Sequence, residues 1–128
     1  MTKTEVRPGE TPQQWSQRVL AERRHRAEAA VRPHPNRRGK VVRSGWFYLG
    51  TYLKDDKYEP KTGTCTLLVR HFELRAYPAG RTRLFRHTDA LKFATEDEMV
   101  AWIEEHDAEE LPPEADGNPQ HIPDAYRP

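Results

Sequence analysis

The segment from Trp46 to Leu53 alternates two sets of residues, Phe47, Leu49, Thr51 and Leu53 against Trp46, Tyr48, Gly50 and Tyr52, and both sets carry large apolar side chains. Successive side chains of an extended chain point to opposite faces, so a strand from about Lys40 to Leu53 is apolar on both sides. Such a strand calls for neighbours. Thr64 to Tyr77 resumes strand character with Leu67, Leu68, Val69, Phe72 and Leu74, after a polar loop around Asp55 to Gly63. Pro78-Ala79-Gly80 then makes a tight turn into a third strand from Arg81 to His87, which predicts a hairpin.

Two helices flank these strands. Thr11-Pro12-Gln13-Gln14 places a hydroxyl at the N-cap, proline at the first helical position and glutamine where a capping box needs it. A helix from about Pro12 to Val31 follows, with a loose apolar stripe of Trp15, Val19, Leu20, Ala27, Ala30 and Val31. Pro33 and Pro35 stop it, because proline lacks a donor and restricts the residue before it. Thr95-Glu96-Asp97-Glu98 is a second capping box, and its acids also meet the positive end of the helix dipole. The helix it opens runs to about Asp107 and presents Met99, Val100, Trp102 and Ile103. The stretch Ala90 to Ile103 resembles an ending common to small bacterial and phage proteins: a strand with an aromatic, a Thr or Ser cap, acids, then an apolar helix. That resemblance designates no family.

The expected fold class is α+β: a small three-stranded antiparallel sheet packed with an N-terminal and a C-terminal helix, with mobile Pro-rich termini. The expected organisation is a flexible N-terminus (1–10), a basic helix and Pro-rich linker (11–39), a compact β-β-β-α domain (40–107) and an acidic Pro-rich tail (108–128). Nine of the eleven prolines lie towards the two ends, which are poor in large apolar residues. Such segments bury too little surface to offset the entropy of ordering them.

Charge is sorted along the chain. From Arg18 to Arg43 nine basic residues face only Glu22 and Glu28, while Glu96 to Asp124 holds eleven acids and no Lys or Arg, so the net charge of +1 conceals a basic end and an acidic end. Arginine clusters attract phosphate through bidentate hydrogen bonds and counterion release. Arg23, Arg24, Arg26, Arg37, Arg38, Lys40 and Arg43 form the candidate nucleic-acid-binding arm, joined by Arg81 and Arg83 on the sheet. Trp46, Tyr48 and Tyr52 share one strand face, where aromatic rings among arginines stack bases or anchor a protein partner; a covering helix would make them core instead.

Several classes find no support. Cys65 is the sole cysteine, so there is no internal disulfide, and Cys65, His71 and His87 have no recognised metal spacing. His87 with Asp89 suggests acid-base chemistry, yet no nucleophile motif and no Gly-rich phosphate loop accompanies the pair. No metal and no cofactor is expected. No apolar run approaches the roughly 20 residues of a membrane span, and Met1 to Arg7 lacks the apolar stretch of a secretory signal. A soluble, cytoplasmic, non-enzymatic accessory protein binding nucleic acid or a nucleoprotein complex is therefore expected. The alternative is a phage or mobile-element modulator of a host protein complex, with the oligomeric state open.

Overall fold

A computed structural model describes residues 6–32, 38–50, 65–127 and the backbone of 53–54. Its elements are α1 (Pro12–Ala30), β1 (Lys40–Leu49), β2 (Leu53–Lys54), β3 (Cys65–Tyr77), β4 (Arg81–Phe93), α2 (Glu96–Glu105) and β5 (Glu109–Leu111). The first capping box forms as the sequence predicts, and the second forms by its hydroxyl half. Thr11 Oγ1 accepts from the Gln14 backbone N–H at 3.1 Å, and Gln14 Oε1 accepts in return from the Thr11 N–H at 3.0 Å. Thr95 Oγ1 accepts from the Glu98 N–H at 3.2 Å. Each bond satisfies a donor that a helix start otherwise leaves open.

β3 and β4 form a long hairpin, paired from Cys65↔Phe93 to Tyr77↔Arg81. Its turn holds Ala79 at φ 70° and Gly80 at φ 75°, the left-handed region in which glycine is at ease and alanine is not. β1 pairs antiparallel with the other edge of β3, with a shift of register between Val41 and Arg43. β2 pairs with Cys65 and Thr66, whose other edge β4 already occupies, so β2 continues the line of β1. β5 then runs parallel to β1, with Phe47 opposite Glu109 and Leu49 opposite Leu111.

The coarse α+β class holds, but the three-stranded antiparallel sheet does not. The sheet is four strands across and mixed, because Glu109-Glu110-Leu111 closes the edge of β1 that a three-stranded sheet would have left open. Leu111, 4% exposed, is the apolar anchor of that short acidic strand.

The double-sided apolar pattern of β1 has its counterpart in two cores. On one face Trp46, Leu67, Val69, Leu91 and Phe93 pack with Ala27 of α1 and with Met99 and Trp102 of α2. On the other, Phe47, Leu49, Phe72 and Leu74 pack with Leu111, Ala115 and Tyr126. This second layer overturns the expectation of mobile Pro-rich termini at the C-terminal end. Leu111, Ala115, Ile122 and Tyr126 are few, but a sheet apolar on its second face gains by burying them. The prolines assist: Pro113 opens one 3₁₀ turn and Pro123 caps another, with their φ values already fixed for such turns.

Candidate nucleic-acid interface

α1 approaches β4 through its small residues. Ala27 is buried, and Ala27 and Ala30 lie on one side of the helix, so the helix backbone comes close to the outer strand. Their arginine neighbours are thereby brought to the rim. Arg23, Arg24, Arg26, Ala27 and Ala30 form one wall of a groove of about 390 Å³, and Asp89, Ala90, Leu91 and Lys92 form the other. Asp89 is the one acid among these residues.

The three arginines are not equivalent. Arg24 donates from Nη1 to the Lys92 carbonyl at 3.0 Å, lies over the Phe93 ring at 4.8 Å and stands 3.9 Å from Glu98. It ties helix to strand. Arg23 and Arg26 are exposed and make no ion pair among the described residues. Arg18, further up the helix, is committed to Glu10 at 2.9 Å and Glu22 at 3.3 Å. Hydrogen bonds from the Arg18 side chain and the Arg7 backbone hold the Glu10 carboxyl down to about 2.

The remaining basic residues divide. Arg38 and Lys40 are exposed where β1 begins, and Arg81 and Arg83 are exposed where β4 begins. Lys40 lies opposite Ala76, which lies opposite Thr82, so these residues gather at the hairpin end. Ala90 lies eight residues along the strand from Thr82, about 26 Å at the usual rise, and a single short contact does not join this cluster to the groove. Arg43 faces the opposite side, donating to the Ala125 carbonyl at 3.4 Å beside the Tyr126 ring, where it fastens the C-terminal layer. Arg37 and Tyr52 lie outside the described residues.

Trp46 is a core residue and not a surface anchor. It is 8% exposed and meets Trp102 of α2 edge-on at 5.3 Å and His71 at 4.9 Å. Tyr48 is half-buried against the same cluster. The covering element is chiefly α2, whose apolar face needed a sheet, as much as the sheet needed a helix.

Lys92, Glu73 and Arg75 are functional or structural groups that the sequence pattern does not mark. Arg70, 8% exposed, donates to the Ala115 carbonyl at 3.3 Å; burial, then the nearby Arg86, lowers its pKa, and Asp116 opposes them. Arg75 donates to Glu73 at 2.6 Å inside the sheet and to the Gly39 carbonyl at 3.0 Å. Arg86 donates to the Pro119 carbonyl at 3.0 Å. These arginines hold the fold: Arg70 and Arg86 share the face that carries Phe72, whereas Arg75 lies opposite Arg83 on the other face, so packing and not alternation separates those two.

His71 lies directly opposite His87, and His87 Nε2 stands 3.5 Å from Asp89 Oδ2. Cys65 is six strand residues from His71, about 20 Å away, which is too far to share an ion. Among the described residues no three His, Cys, Asp or Glu side chains are grouped to hold a metal. No helix among them is long and apolar enough to cross a membrane. Comparison with family models, with curated proteins and with solved structures finds no match to the chain.

Proposed function

We propose that this is a small non-enzymatic accessory protein that contacts nucleic acid, or the nucleic acid of a larger complex, through the groove between α1 and β4. The observation that carries the reading is the set of Arg23, Arg24 and Arg26 along one wall, with Lys92 across from them and Asp89 alone in opposition. Arg24 is held in place, which leaves Arg23 and Arg26 free to take phosphate oxygens in the bidentate geometry guanidinium favours. Nothing in the groove favours one base over another, so binding is expected to follow the backbone and to be insensitive to sequence.

The test is oligonucleotide binding as a function of salt. Removing two phosphate contacts by Arg23→Gln with Arg26→Gln is expected to flatten the dependence of log K on log salt by about 1.4–1.8. It should leave the denaturation midpoint unchanged, since neither side chain has an ion pair among the described residues. Equal affinity and slope in wild type and variant would refute the groove. A partner-binding modulator anchored by Trp46, Tyr48 and Tyr52 is the weaker reading, because the first of those rings is in the core and the second is half-covered.

A further inference from the structure

Among the described residues β4 is an outer strand of the sheet, and its second edge is only partly closed. The Lys92 carbonyl accepts from Arg24, and the Ala90 N–H donates to its neighbour's Asp89 Oδ1 at 2.8 Å. Both are even-numbered positions. In an antiparallel pair the backbone groups of alternate residues face the partner strand, so the even residues of β4 face away from β3. The N–H and C=O groups of Thr82, Leu84, Arg86 and Thr88 therefore point outward, and they meet no backbone partner among the described residues. Thr82, Arg86 and Thr88 are exposed.

We propose that this edge, from Thr82 to Thr88, receives an extended acidic segment of a partner protein by strand addition. Main-chain pairing supplies the affinity, and the flanking side chains supply the choice of partner. Arg81 and Arg83 lie on one face of the strand and Arg86 on the other, so an added strand meets positive charge both above and below. Half-buried Leu84 and Phe85 between them favour an apolar residue among the acids. Ala30 and Val31 stand beside Phe85 and His87 on one face, and Pro119 and Gln120 are held against Arg86 on the other, which walls the edge into a slot.

Charge also decides against a second copy. β4 carries Arg81, Arg83, Arg86 and Lys92 against Asp89, so two such edges laid together repel. The acidic β5 edge of another molecule is only Glu109–Leu111 and is stopped by Pro112, too short to fill the slot. This inference concerns a protein ligand and does not rest on the phosphate reading.

The experiment is amide hydrogen exchange on the full chain with a synthetic peptide of about seven alternating Glu and Val residues, the length of a typical strand. The peptide is expected to slow exchange at Thr82, Leu84, Arg86 and Thr88 by about tenfold or more, and a Lys and Val peptide is expected to have no effect. Thr82→Pro with Thr88→Pro removes two outward donors and leaves the β3 ladder whole. It should weaken the acidic peptide about tenfold and leave oligonucleotide binding through Arg23 and Arg26 unchanged. Saturation without protection of those amides, equal protection by the Lys peptide or by an oligonucleotide, or protection on self-association without peptide would each overturn the proposal. The exchange measurement uses the wild-type chain and decides the matter even where the proline variant is poorly folded.

Discussion

The indole N–H of Trp102 donates to Glu28 Oε1 at 3.2 Å, a bond that reaches from α2 to α1 across 74 positions of sequence. His106 Nε2 is 2.9 Å from the same oxygen, and its ring stacks on Trp102 at 4.2 Å. One carboxylate thus joins the two helices above the sheet. Glu28→Ala leaves the indole of a buried tryptophan without its acceptor and is expected to cost about 1–3 kcal/mol in urea denaturation. Coupling to Trp102→Phe in a double-mutant cycle should be positive; additive losses would show that the bond contributes nothing.

Trp46→Ala tests whether the aromatic face is core or contact. Edge-on packing with Trp102 and His71 predicts a loss of about 3–5 kcal/mol of stability, read as a shift of the denaturation midpoint. A variant as stable as wild type that lost only partner binding would return Trp46 to the surface.

Gly45 sits under Tyr126. A Cβ added there would lie 2.8 Å from the tyrosine hydroxyl, and Phe47 and Phe72 hold that ring from two sides at 5.5 and 5.7 Å. Gly45→Ala is expected to destabilise the protein by about 1–3 kcal/mol through overpacking. Adding Tyr126→Phe removes the clashing oxygen and should recover part of the loss. A double variant worse than the sum of its singles would contradict the contact.

Acid should loosen the start of α1. The Glu10 carboxyl is depressed to about 2 from 4.5, so its ion pair with Arg18 adds stability above the unfolded value and loses it as pH falls from about 4.5 through 2. The pair is near the surface, so its effect is local. Carbon-detected NMR titration should place the Glu10 midpoint near 2 in wild type and raise it in Arg18→Gln, with the Arg7 backbone hydrogen bond still holding it below the ordinary carboxylate value. An unchanged midpoint in the variant would remove Arg18 as the cause.

Local chemistry alone determined α1, α2 and the hairpin. Thr11 and Thr95 each carry the oxygen that a helix start needs, and Pro78-Ala79-Gly80 stands between two runs of strand formers. The alternation of Trp46 and Tyr48 with Phe47 and Leu49 likewise announced a strand with two apolar faces. It left open what lay on each face. That was decided by tertiary structure, because burial is a property of the whole chain and not of a window. Composition marks residues 108–128 as an acidic, proline-rich tail; yet Leu111, Ala115 and Tyr126 each find a place on the second face, and Glu109–Leu111 becomes a strand. The same holds for the arginines. The sequence shows that they cluster, whereas only packing separates Arg24, Arg43, Arg70 and Arg75, each of which donates to a carbonyl or carboxylate of the fold, from Arg23 and Arg26, which stand at an open groove.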